Sequence, residues 1–115
     1  MNTLRTRTKA FAVAVIRFCM ELPRTEEVYV IRRQLLRSAT SPGAHCREAS
    51  RARSNAEMIS KLEVAIQELD ESVYWMELLA EAGIIPQSHL DLLMREADEL
   101  LAMTVSAVRT IKRKR

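Results

Sequence analysis

Apolar side chains recur along this chain at steps of three and four, the spacing that lines one face of an α-helix. The first such stretch spans about Thr3 to Glu21, with Phe11, Val15, Phe18 and Leu22 on its stripe. Pro23 closes it, because proline has no amide hydrogen and disfavours helical geometry at Leu22. Thr25 is placed to cap a second helix. Glu26 and Glu27 then fall in its first turn, where the helix dipole favours negative charge. The inward stripe of that helix reads Val28, Ile31, Leu35 and Ser38, which turns Arg32 and Arg33, with Arg47, Arg51 and Arg53, elsewhere. Ser41-Pro42 interrupts the pattern. Either one long helix is kinked there, or the chain restarts with Ser41 as cap and Pro42 as first helical residue; the kinked helix is the reading adopted. From Ser38 to Ser41, and again at Gly43-Ala44, the side chains have almost no bulk, so a neighbouring helix can approach closely.

Ser54-Asn55-Ala56-Glu57 has the form of a capping box, in which the serine caps the helix start and the glutamate reaches back to it. The third helix then runs to about Ala82, with Ile59, Leu62, Ile66, Leu69, Val73 and Met76 inward and Gly83 as a left-handed stop. A fourth helix starts between Pro86 and Ser88, with Asp91 behind Ser88. Leu90, Leu93, Ala97, Leu100, Thr104, Ala107 and Ile111 carry its stripe into the C-terminal tail. Four amphipathic helices joined by short loops predict an all-α fold, an antiparallel up-down four-helix bundle with its second helix kinked near Ser41-Pro42. Residues 1–115 are read as one domain, ending in a basic tail at about 109–115.

A chain of 115 residues buries roughly two-thirds of its unfolded surface, enough for a core of its own. No apolar run reaches the length of a membrane span, so no membrane partner is expected. The basic start and apolar run of the first twenty-two residues resemble a signal peptide. Arg17 interrupts that run and no small-residue cleavage site follows, so a core helix is expected instead. Cys19 and Cys46 form no metal-type pair and read as buried small hydrophobes. Charge changes the picture more. Residues 1–55 carry eleven basic and four acidic side chains, a balance of +7. Residues 56–108 carry two basic and eleven acidic, a balance of −9, and the last seven residues add +5. Such asymmetry points to a nucleic acid partner, or to pairing between identical chains in which the acidic third and fourth helices meet the basic second helix of a neighbour.

Three candidate chemistries weigh less. Glu48, Glu68 and Glu71 suggest a carboxylate metal site, but a di-iron bundle needs Glu-x-x-His, and Pro42 and Pro86 stand three residues before His45 and His89. No metal or other cofactor is expected. His45-Cys46 could be a nucleophile pair, yet adjacent helical residues do not face each other and no orienting third group is visible, so no catalytic residues are assigned. Tyr74-Trp75 could stack on a base; the reading preferred is a core or subunit-interface anchor. Arg37 and Glu68, joined by Glu48, are expected to form a partly buried charge network at the core boundary, since a charge held away from water needs a partner.

The stretch from Gln34 to Leu79 resembles the four helix bundle protein family, founded on bacterial proteins encoded inside intervening sequences of the 23S ribosomal RNA gene. Gln34, Leu35, Arg37, Ser38, Thr40, Ser41, Gly43, Ala44, Glu48 and Ala49 match one run of the family pattern. Ser54, Lys61, Leu62, Ala65, Glu68, Glu71, Tyr74 and Trp75 match the next. The chain departs at His45, where the family has Asn, and at Pro42, where Ile or Val is common. The resemblance implies a bacterial cytoplasmic four-helix bundle, and family members include ring- or barrel-shaped homopentamers. A distant branch resembles a retroelement accessory protein that binds nucleic acid and a reverse transcriptase. The function expected is therefore a non-catalytic homo-oligomer that binds RNA or DNA through phosphates. Its contacts are the tail residues Arg109, Lys112, Arg113, Lys114 and Arg115 and the face Arg32, Arg33, Arg47, Arg51 and Arg53. The alternative is a protein-interaction module without nucleic acid affinity.

Overall fold

Helices form where the three-and-four periodicity places them, and a computed structural model describes them over residues 2–114. Helix α1 spans Asn2–Met20. Its last turn tightens as Glu21 N–H donates to Phe18 O and Leu22 N–H to Cys19 O, at 3.1 and 3.2 Å. Its buried face is Leu4, Thr8, Phe11, Val15 and Cys19. Phe18, expected on that face, is only half-buried, and the Thr8 hydroxyl takes an inward place by donating to Leu4 O at 2.8 Å. Helix α2 spans Glu26–Ser50, and the Thr25 hydroxyl accepts from Val28 N–H at 3.3 Å. It is uninterrupted through Pro42. The restart reading fails because Ser41 does not cap; its hydroxyl donates back to Arg37 O at 2.7 Å. Thr40 does the same to Leu36 O at 2.7 Å. Pro42 offers no N–H to the carbonyl of Ser38, so these hydroxyl donors bind the turn in which the ladder loses a bond.

The small residues of α2 admit α1. A Cβ built on Gly43 would lie 3.6 Å from Lys9 N and from Thr8 C and O, an ordinary van der Waals contact with the backbone of α1. Gly43→Ala should therefore fit and stabilise the helix by about 0.5–1 kcal/mol, the advantage of alanine over glycine in a helix interior. Urea melts check this, and a lowered midpoint for the alanine variant would contradict the packing. Across the core from α1, Ser38 and Ser72 bring their hydroxyl oxygens to 3.0 Å, and the Ser72 hydroxyl also has Glu68 O at 2.9 Å.

Helix α3 spans Asn55–Glu81. Ser54 caps it, its hydroxyl accepting from Glu57 N–H at 3.1 Å, while the Glu57 carboxylate lies 3.9 Å from Arg53 Nε. Gly83, at φ 73°, stops it, with Gly83 N–H on Ala80 O and Ile84 N–H on Leu79 O, both at 3.0 Å. The buried face is Ile59, Leu62, Ala65, Leu69, Ser72, Met76 and Leu79, so the stripe is rotated by one residue from the expectation at Ile66 and Val73. A 3₁₀ turn at Gln87–His89 leads into α4, Asp91–Arg113, which has no side-chain cap. The expected start between Pro86 and Ser88 therefore falls about one turn early, and Asp91 opens the helix without a capping bond. Leu90, Ala97, Leu100, Thr104 and Val108 are buried along α4. Each helix packs on the next and α4 packs back on α1, which closes a four-helix bundle with extents of 48 × 19 × 19 Å. Each fully buried leucine in that core contributes about 1.5–3 kcal/mol. Among the described residues, no helix is long and apolar enough to cross a membrane.

Candidate nucleic-acid interface

Cross-seam contacts fix which helix ends lie together. Arg5 near the start of α1 donates to Ser50 Oγ at the end of α2, at 3.2 Å. Arg7 meets Glu96, Glu99 and Met103 of α4, and Lys112 near the end of α4 lies 3.5 Å from Glu63 early in α3. The starts of α1 and α3 therefore share one end of the bundle with the ends of α2 and α4. The basic residues at the start of α1, the late arginines of α2 and the basic C-terminal turn all lie towards that end, although they are far apart in sequence.

Part of this cluster lines a groove of about 640 Å³ on the outer side of the α1–α2 seam. Arg5 and Lys9 reach it from α1, Arg47 and Arg51 from α2. Its floor is small side chains, among them Ala12, Gly43 and Ala44, so the cations rise around a shallow trough. Glu48 is the single acid on its lining, and its carboxylate is engaged by His45 Nδ1 at 3.1 Å and Lys61 Nζ at 3.5 Å. Among the described residues, no carboxylate forms an ion pair with Arg5, Lys9, Arg47 or Arg51. Four cations without anionic partners around one trough are chemically suited to phosphate oxygens.

The other expected contacts are scattered. Arg32 is buried and is corrected from contact to structural residue. Its Nε donates to Cys19 O at 3.3 Å, and one Nη donates to Leu22 O and Pro23 O at 3.3 and 2.9 Å. Arg33 is exposed, with its guanidinium 5.7 Å from the Tyr29 ring centre and 3.1 Å from the Tyr29 hydroxyl. Arg53 is exposed beside Glu57. Arg109, Lys112 and Arg113 belong to the closing turns of α4, Lys114 caps that helix, and Ile111 packs against the core. Arg115 lies outside the described residues.

The expected Arg37–Glu68 pair does not form. Arg37 is exposed and lies 3.8 Å from Glu71, and Trp75 Nε1–H donates to the same Glu71 carboxylate at 3.1 Å. Tyr74 is half-exposed against the edge of Trp75, their ring centres 5.0 Å apart. The hub of the α2–α3 seam is instead His45, with Nδ1 on Glu48 and Nε2 3.3 Å from Glu68. Glu68 Oε1 is buried and makes no hydrogen bond of its own. Burial pushes the Glu68 carboxyl above its ordinary range, and Glu71 adds to this against His45, Ser41 and Arg37. A carboxyl whose folded pKa is raised holds its proton more tightly when folded. The stability it contributes therefore falls as pH rises through that window. Glu68→Gln should be more stable than the unmodified chain at about pH 7, and the gap should close towards about pH 5. Denaturation midpoints that differ equally at both pH values would reject this.

Burial also pushes the Cys19 thiol up to about 11 and the Cys46 thiol above its ordinary value, which disfavours the thiolate a nucleophile needs. A feature that periodicity missed is Arg7, whose guanidinium forks onto Glu96 at 2.7 and 3.2 Å and onto Glu99 at 3.0 Å, fastening α1 to α4. These carboxylates hold Arg7 more firmly protonated than usual. Arg5 and Lys9 were not among the contacts expected from the sequence, although their spacing of four places them on one helical face, as it does Arg47 and Arg51. That the two faces flank one seam needed the topology.

The chain matches the family described as 23S rRNA-intervening sequence protein over residues 2–106. It is also similar to a crystal structure of a protein of unknown function from the S23 ribosomal protein family of Bacteroides thetaiotaomicron VPI-5482. The two are 31% identical, the match covers 91% of this chain and 97% of that one, and the TM-score is 0.86. No curated protein matches the chain.

Proposed function

The chain belongs to the 23S rRNA-intervening sequence protein family, and from that premise we propose that it is a non-catalytic bundle that holds RNA or DNA by its phosphates. The observation that supports this best is the α1–α2 trough, where Arg5, Lys9, Arg47 and Arg51 stand without carboxylate partners among the described residues. The basic closing turn of α4 at the same end of the bundle extends the cationic surface. Contacts to phosphate carry no base information, so binding through these side chains is ionic and largely indifferent to sequence. The natural form is a homo-oligomer, with the pentamer of the resembling family as the expected size, in which shared attachment raises weak phosphate contacts by avidity.

The test is a pair of binding isotherms for the whole chain with structured RNA and with DNA, at about 50 and 200 mM salt, beside a mass by light scattering. Affinity should fall steeply between the two salts, because each neutralised phosphate releases counterions. Absence of binding at the lower salt would favour the second reading, a protein-assembly module. Outward apolar side chains favour that module: Val13, Ile16 and Met20 on α1, and Leu92 on α4, which is 78% exposed. A single-chain mass at micromolar concentration and low salt would exclude the oligomer.

A further inference from the structure

The face of α2 that lines the trough continues beyond the trough's cations. On α2, Thr40, Ala44, Arg47 and Arg51 line it. Continued towards the start of that helix, the same face carries Leu36, Arg33 and Tyr29, because the sequence 29, 33, 36, 40, 44, 47, 51 advances by four, three, four, four, three and four. Helix α2 is uninterrupted over this length, so the face is continuous. The Tyr29 ring is 50% exposed, and Arg33 stands beside it with its guanidinium 5.7 Å from the ring centre. The Tyr29 ring lies open in the first turn of α2, and the Arg33 guanidinium that contacts it has no carboxylate partner among the described residues. The seam thus presents phosphate-binding cations at one end and an aromatic–guanidinium platform at the other, about 33 Å apart along the helix.

We infer that this seam takes a single strand of RNA or DNA, with backbone phosphates on Arg5, Lys9, Arg47 and Arg51 and an unpaired base stacked on Tyr29 beside Arg33. The inference rests on the nucleic-acid reading above and narrows it. A duplex buries its base faces in its own stack and offers a helix surface only phosphates and groove edges. A single strand offers π-faces, and every base has one, so stacking adds affinity without adding sequence preference. The ionic and stacking contributions are separable in the salt dependence, since stacking releases no counterions.

The experiment measures affinity of the full-length chain for oligo(U), oligo(dT) and a blunt duplex at two salt concentrations, repeated with Tyr29→Ala and Tyr29→Phe. The unmodified chain should bind both single strands more tightly than the duplex. Tyr29→Ala should weaken single-strand binding about tenfold or more, as loss of one stacked base does. It should leave the salt slope and the duplex affinity unchanged. Tyr29→Phe keeps the ring and loses only the hydroxyl contact to Arg33, so it should bind as the unmodified chain does. Tyr29 is exposed, and circular dichroism of each variant confirms that the bundle is intact. Equal binding by Tyr29→Ala, or tighter binding of duplex than of single strands, overturns the inference while leaving phosphate binding in place. No binding of any of the three probes overturns both.

Discussion

Arg32→Ala should destabilise the fold by about 3 kcal/mol or more, the largest loss expected of any single charged residue here. The guanidinium is buried and bonds only to main-chain oxygens, those of Cys19, Leu22 and Pro23. These carbonyls lie in the last turn of α1 and just beyond it, at the negative end of the helix dipole, where only Cys19 O has a main-chain donor, from Leu22 N–H, among the described residues. Three hydrogen bonds from a charged donor, each worth about 1.5–3 kcal/mol, offset the cost of taking the charge out of water. Truncation to alanine removes the donors, leaves the carbonyls buried and opens a void at the α1–α2 connection. Arg32→Lys should recover only part of the loss, because an ammonium is a compact point donor and cannot span three acceptors as the fork does. Urea melts of the three proteins decide this. An alanine variant that melts with the unmodified chain would show that the connection needs no cap.

Arg32 also shows what periodicity can and cannot say. Its position was legible: residue 32 is four after Val28 and three before Leu35, squarely on the inward stripe. Its chemistry argued the other way, since arginine is almost never fully buried without a partner. That partner, a set of carbonyls freed by Pro23 ending α1, exists only once α1 and α2 are folded against each other. The same limit governs Arg37 and Glu68. Both lie near the core boundary on their own helices, but which residues meet across the seam depends on the axial offset of α2 against α3. That offset pairs His45 with Glu68 and leaves Arg37 to Glu71. Local signals fared better because their physics is local. The Thr25 and Ser54 caps and the Gly83 stop each involve atoms within a few residues, and each forms, although the Glu57 carboxylate expected to reach back to Ser54 lies beside Arg53 instead. The start of α4 lacked such a signal. The chain passes through a 3₁₀ turn there, and no side chain caps the helix.

Neutralising the trough should have the largest effect on binding. Replacing Arg5, Lys9, Arg47 and Arg51 together by alanine removes up to four phosphate contacts. For a single strand the salt slope should then become shallower by about 0.7 per contact, close to 3 in all, and affinity at about 100 mM salt should fall by a few hundredfold. Folding should survive, because the four side chains make no ion pair among the described residues and Arg5 gives up one bond across the seam, to the half-buried Ser50 Oγ. The contrasting variant removes the chain after Val108. It deletes the closing turn of α4 with Ile111, which packs on the core, and it frees Glu63 from Lys112. That truncation tests the basic turn but perturbs the bundle end, so its melt must be compared before its binding is interpreted. If the four-alanine variant binds with the unmodified slope while the truncated chain loses it, the phosphates are held by Arg109, Lys112, Arg113, Lys114 and Arg115, and the trough is not the site. If the slope instead flattens in the four-alanine variant, the trough holds the strand and the closing turn of α4 only extends its field.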